Sequence, residues 1–269
     1  MTRYAQRTLI QQGTVANWGK AAGGQQWAKI SGGTANPSGR TPSGYSVCEF
    51  MSDGTLTVSS AGVAECLLIG SGGGPYAGAV VSAGAGGAGH ARALLWFDVG
   101  TYAVKVAPAQ GSGNNAGFSS YITGKLWAGG GGGTSGHASR NAEEMGINGG
   151  GMGGYHITGG RGAMLTSTGG VQSLYGGGGF RGGNNPSPHP GGAGAGAYSD
   201  GVLAVGGAAV DQSDYFGNVA ATDYFCAGGK GPSGSNGTGY SRTAGSGCGS
   251  QGGVGDTGVQ GCVYVKVLN

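Results

Sequence analysis

Apolar residues in this chain fall into short alternating or continuous runs broken by glycine, and each run reads as a β-strand. Tyr45-Ser-Val-Cys-Glu-Phe-Met51 is the first. Asp53-Gly54 is a turn signal, and Thr55-Leu-Thr-Val58 follows as the second arm of an expected hairpin. Val63-Ala-Glu-Cys-Leu-Leu-Ile69 is a third strand and runs straight into Gly70. Ala91 to Phe97 and the clean alternation Thr101-Tyr-Ala-Val-Lys-Val-Ala107 flank a turn at Asp98-Val-Gly100. Phe118 to Ile122 is a weaker strand, Gly124 to Ala128 precedes a five-glycine run, and Cys262-Val-Tyr-Val-Lys-Val-Leu268 closes the chain. Short strands with glycine turns predict an all-β fold with little α-helix: a small, jelly-roll-like β-sandwich over 45–128 plus 261–269.

Glycine changes this picture most. The 269 residues include 69 glycines, more than fifty of them between residues 70 and 259. Each costs roughly 0.5–1 kcal/mol of folding entropy relative to alanine, so the segment is disordered unless bare backbone is itself the packing material. Aromatic and apolar residues interrupt the runs, and a strong strand follows them, which argues for order. The spacing is too irregular, and proline too scarce, for collagen. The expectation is a Gly-rich region at 129–260, joined by the run at 70–90, packed as left-handed polyglycine II-type helices. Such a helix has three residues per turn and satisfies its N–H and C=O groups only on neighbouring chains. Asn114-Asn115, Asn184-Asn185-Pro186 and Pro188-His189-Pro190 are expected to turn the chain.

Residues 1–44 read as an N-terminal docking arm, with Arg3, Arg7, Lys20, Lys29 and Arg40 and no acidic residue. Trp18 and Trp27 either anchor this arm on another protein or cap the body of the same chain. The net charge of +3, with 9% charged residues, is too weakly basic for nucleic-acid binding and fits an extracellular or virion surface. No apolar stretch reaches 18 residues, so no membrane insertion is expected. Cys48, Cys66, Cys226, Cys248 and Cys262 form no C-x-x-C pair, and Cys66 and Cys262 read as buried small hydrophobes.

Motifs that suggest chemistry fail on inspection. Gly70-Ser-Gly-Gly-Gly-Pro75 imitates a dinucleotide-binding turn but puts proline where the third glycine should open a helix. No phosphate-binding loop occurs. His90, His137, His156 and His189 lack metal-ligand spacing, and Asp211-Gln-Ser-Asp214 lacks the ligand density of a calcium loop. No metal, no cofactor and no catalytic group is expected, and the protein reads as a non-enzyme.

The order of pieces resembles the glycine-rich domain of phage tail and minor tail proteins, including tail-fibre tips of adhesin type. The corresponding residues are Phe50 to Val58, Leu67-Leu-Ile-Gly70, Gly84-Ala-Gly-Gly-Ala-Gly89, Val99-Gly-Thr-Tyr-Ala-Val-Lys-Val106 and Val263-Tyr-Val265. The resemblance covers residues 45–269; its third strand is less valine-rich and its Gly-rich body more aromatic than the family pattern. It implies a virion component, assembled in the host cytoplasm, that sits at a tail or fibre tip. Its arm would dock on other tail or fibre proteins, and its body would meet a bacterial surface receptor, protein or polysaccharide. A homotrimer is plausible by analogy with tail fibres. A structural minor tail or decoration protein without receptor binding is the alternative.

Tyrosine and arginine are common anchors at binding surfaces. The receptor-binding candidates are therefore Tyr155, His156, Arg161, Tyr175, Arg181, Tyr198, Tyr215, Tyr224, Tyr240 and Arg242. Phe180, Phe216 and Phe225 are expected to be buried. The docking-arm candidates are Arg3, Arg7, Trp18, Lys20, Trp27 and Lys29.

Overall fold

The computed structural model describes residues 26–74, 84–111, 116–133, 196, 198, 205–217, 223–230, 235–236, 238–251 and 256–269. Among them are twelve strands and no helix. The fold is all-β.

Two five-stranded antiparallel sheets face each other. The outer sheet holds β1 (Lys29–Ser31), β4 (Gly54–Ser60), β7 (Gly100–Lys105), β8 (Ser120–Ile122) and β9 (Leu126–Ala128), in the order β1-β4-β7-β8-β9. The inner sheet holds β2 (Thr34–Ala35), β3 (Tyr45–Phe50), β5 (Gly62–Ile69), β6 (His90–Phe97) and β12 (Cys262–Leu268), in the order β2-β3-β12-β5-β6. Leu56, Val58, Val104, Ile122 and Leu126 of the outer sheet meet Phe50, Cys66, Leu68, Val263 and Val265 of the inner one in a single buried cluster. The outer sheet alternates along each strand, with Leu56 and Val58 buried and Thr55, Thr57 and Ser59 exposed, because one face packs on the core and none of the described residues covers the other.

The inner sheet is covered on both faces. Its β5 and β12 are apolar at nearly every position, Glu65 and Lys266 excepted, because a second layer covers them. Val47, Leu67, Ile69, Cys262 and Tyr264 pack there against Tyr215, Phe216, Phe225 and Cys226 of the Gly-rich region. The rings of Tyr215 and Phe216 lie 4.8 Å apart, and those of Phe216 and Tyr264 5.0 Å apart, both edge to face. A short ribbon of β10 (Val210–Asp211) and β11 (Tyr224–Phe225), which the sequence pattern did not single out, supports this layer.

Two expectations are corrected. β3 and β4 do not form a hairpin: they lie in different sheets. Phe50 and Leu56 must both enter the core between the sheets, so the chain turns the corner at 51–53. Asp53 pins that corner, accepting the Val106 N–H at 2.9 Å and the Lys105 ammonium at 2.6 Å. The second correction concerns the arm. Residues 26–44 belong to the sandwich, where β1 pairs with β4 and β2 with β3. Trp27 bridges to Val63 and packs edge-on against Tyr45 at 6.3 Å. Only 1–25 can serve as a separate arm, and these lie outside the described residues.

The described glycine segments bond to one another with a period of three. Gly70 and Gly73 donate to the carbonyls of Gly89 and Gly86. Gly86 and Gly89 donate to Gly132 and Gly129, whereas Ala85 and Ala88 donate to Ser250 and Gly247. Successive residues of 84–89 thus address different neighbours, and every third residue returns to the same one. Segment 70–74 also bonds to Phe118, Gly131, Ser250 and Val259. The approach is close: a Cβ on Gly72 would stand 1.9 Å from the carbonyl oxygen of Cys248, and one on Gly249 2.0 Å from that of Ala85.

Candidate functional site

Chain connectivity carries this backbone framework on the inner sheet. β5 runs directly into 70–74, and 84–89 runs directly into β6. Ser120 reinforces the junction: its hydroxyl donates to the Ile69 carbonyl at 2.6 Å and accepts the Ala107 N–H at 2.9 Å.

The sequence candidates distribute unevenly over it. Tyr155, His156, Arg161, Tyr175 and Arg181 lie outside the described residues, as do Phe180 and the three expected asparagine and proline turns. Arg3, Arg7, Trp18 and Lys20 lie outside them too. Tyr198 is the most open, with 71% of its surface exposed and its N–H bonded to Ala208. Arg242 is exposed and ion-paired with Asp256, whose other oxygen accepts the Gln251 N–H at 2.8 Å. Tyr240 is half-buried, and its hydroxyl donates to the Gly249 carbonyl at 3.0 Å. Tyr224 is half-buried against Gly239.

Tyr215 is corrected as a receptor-binding candidate. It is fully buried, its hydroxyl donates to the Glu65 carbonyl at 3.0 Å, and the Lys266 ammonium lies 4.2 Å from its ring centre. It fails as a contact residue because the inner sheet needs its ring as cover. Phe216 and Phe225 are buried in the same layer, as expected of the phenylalanines. Trp27 and Lys29 sit in or beside β1 and are corrected as residues of a free arm. Arg40, counted with the basic head, is also spent within the molecule.

Arg40 joins three parts of the chain. Its guanidinium pairs with Asp223 at 3.3 Å and Glu49 at 3.4 Å, bonds to the Tyr264 hydroxyl, and lies 5.6 Å from the ring centre of Phe216 and 5.7 Å from that of Phe225. Burial raises the Asp223 carboxyl above the usual carboxylate range, and Arg40 opposes that rise. A second cluster covers β5 and β12: Glu65 holds Arg92 at 2.7 Å and Lys266 at 2.9 Å, and Arg92 reaches Asp214 at 2.7 Å. Arg92 and Lys266 each lie against the Tyr215 ring, so both clusters fasten the aromatic cover to the sheet.

All five cysteines are free and buried. Burial pushes the Cys48 thiol up to about 11 and raises Cys66, Cys226, Cys248 and Cys262 as well, so the thiols act as packing groups rather than nucleophiles. Among the described residues no three His, Cys, Asp or Glu side chains converge on a common point.

No family model matches the chain, and no curated protein matches it in sequence.

One exposed feature was missed in the sequence. On the free face of the outer sheet, Lys105 pairs in register with Tyr121, and Tyr121 with Trp127. Tyr121 is 36% and Trp127 55% exposed, whereas Ser120, Ile122, Leu126 and Ala128 beside them are buried. The alternation Ser-Tyr-Ile and Leu-Trp-Ala is the signal that could have found them: where one side of a three-residue strand must enter the core, the aromatic must point out.

Proposed function

We propose that this chain is a non-enzymatic phage virion protein at a tail tip or fibre tip, where it recognises the host cell surface. The observation that carries the reading is the three-residue periodicity of backbone bonding between glycine segments. It fits polyglycine II packing, and it supports a rigid body whose exposed side chains are held by main chain rather than by a large core. Tyr198, Tyr240 and Arg242 stand on that body, and Tyr121 and Trp127 stand on the sandwich. The likeness in order of pieces to glycine-rich tail proteins points the same way. Residues 1–25, with Arg3, Arg7, Trp18 and Lys20, would dock on another tail or fibre protein, and the receptor would be a bacterial surface protein or polysaccharide. A homotrimer suits a fibre tip.

The test is binding of fluorescently labelled full-length protein to a panel of bacterial cells, beside a version lacking residues 1–25. Removing 1–44 would strip β1, β2 and Arg40, and loss of binding would then report unfolding. Selective, saturable binding that survives removal of 1–25 supports a receptor-binding body with a separate docking arm. No binding by either folded form rejects receptor recognition and favours a structural tail or decoration protein.

A further inference from the structure

We infer that the free face of the outer sheet binds a neutral saccharide along the row Asp53, Lys105, Tyr121, Trp127. This rests on the surface-recognition reading and names the ligand class of one surface. β8 and β9 are short and paired, so the two aromatic side chains project side by side from directly opposed positions, whose Cβ atoms lie roughly 5 Å apart. The hairpin between them is fastened at its tip, where the Lys125 ammonium donates to the Trp96 carbonyl at 2.9 Å and lies over the rings of Phe97 and Tyr102. The platform is therefore held in place before any ligand arrives.

Charge and size select the ligand. Lys105 is ion-paired to Asp53 at 2.6 Å, so the row has no net charge at its polar end and does not favour a polyanion. That pair still offers both a donor and acceptors within the row. A pyranose has an apolar C–H face to lie on an aromatic ring and a rim of hydroxyls to meet such a pair. Across β4 and β7 the face continues as Thr55, Thr57, Thr101 and Ala103, and β1 at the far edge adds Lys29 and Ser31, all exposed. The aromatic patch therefore does not continue, and the one further cation among the described residues of this face lies at the opposite edge of the sheet. Two partly exposed rings offer on the order of 200 Å², well below the roughly 800 Å² per partner of a stable protein interface. A second copy of the chain or a large protein partner is therefore the poorer fit.

The experiment titrates the full-length protein, by tryptophan fluorescence and by calorimetry, with glucose, galactose and N-acetylglucosamine oligomers and with a sialic-acid-terminated oligosaccharide. Tyr121→Ala, Trp127→Ala and Tyr121→Phe follow, each checked for unchanged thermal unfolding. The expected result is binding of at least one neutral oligomer, weakened at least tenfold by either alanine variant and retained by Tyr121→Phe. Binding of no neutral saccharide overturns the inference, as does binding that both alanine variants keep. Self-association that Trp127→Ala abolishes also overturns it, since the strip is then an interface between copies. Cell binding separates the two readings. Cells still bound by the Tyr121→Ala/Trp127→Ala variant reject the strip and leave surface recognition standing. Saccharide binding without any cell binding does the reverse.

Discussion

A missing side chain is the working part of many residues here. At Gly131 a Cβ would stand 2.1 Å from the Gly86 oxygen and 2.5 Å from that of Gly87, and both neighbours are main chain that cannot rotate away. Gly131→Ala should therefore cost roughly 1–3 kcal/mol, the range of an overpacked core. Gly111 has nothing within 4 Å of its Cβ position, and its φ is not positive. Gly111→Ala should be neutral or stabilise by roughly 0.4–1 kcal/mol through the unfolded chain. Urea denaturation of the pair decides the matter, and equal effects would contradict close backbone packing.

His90, at the start of β6, has no hydrogen-bonding partner for Nδ1 among the described residues. Burial first, and then Arg92, lowers its pKa from 6.5 to about 4. A depressed pKa means that the unfolded chain binds the proton more tightly. The stability this neutral side chain contributes is complete above pH 6.5 and is lost as pH falls through about 4. The loss should reach roughly 3 kcal/mol. Denaturant midpoints between pH 7 and 4 should fall more steeply for the native protein than for His90→Gln, and parallel curves would contradict it.

At the scale of elements, the sandwich was largely legible in the sequence. The strands at 45–50, 62–69, 90–97 and 262–268 lie where apolar runs predict them, because each is long and bounded by glycine or a turn. What pairs with what was less legible. Asp53-Gly54 looks like a hairpin turn, yet Phe50 and Leu56 both have to face the core and so send their strands to opposite sheets. β1 and β2 are too short and polar to stand out, and register alone makes them strands. The burial of Tyr215 could not be read either, since Gln212-Ser-Asp-Tyr-Phe216 shows no strand period. Its partners lie 150 residues away on β5 and 51 away on β12.

Arg40 ties these elements together. Its removal leaves Asp223, with 2% of its side chain exposed, without its compensating charge. Arg40→Ala should cost roughly 3–5 kcal/mol, as breaking a buried ion pair does. Adding Asp223→Asn should recover at least about 1 kcal/mol of that, since the more deeply buried charge is then gone and Glu49 keeps the Tyr264 hydroxyl as donor. Urea unfolding of the single and double variants measures both effects, and a loss under about 0.5 kcal/mol in Arg40→Ala would show that the cluster is not a clamp.

For the whole molecule, the layers run outer sheet, inner sheet, aromatic cover and glycine segments. Each is tied to the next by a buried cluster or by direct continuation of a strand. The proposed surface recognition depends on the glycine segments being as firm as the sheets, although hardly any side chain holds them. Residue-resolved hydrogen exchange tests that dependence most directly. The amides of Gly73, Gly86, Gly89 and Gly131, all bonded across segments, should be protected to nearly the same opening free energy as those of β5 and β12. Exchange of these glycines at the rate of an unstructured chain, beside protected sheets, would contradict a rigid glycine body and the recognition role built upon it.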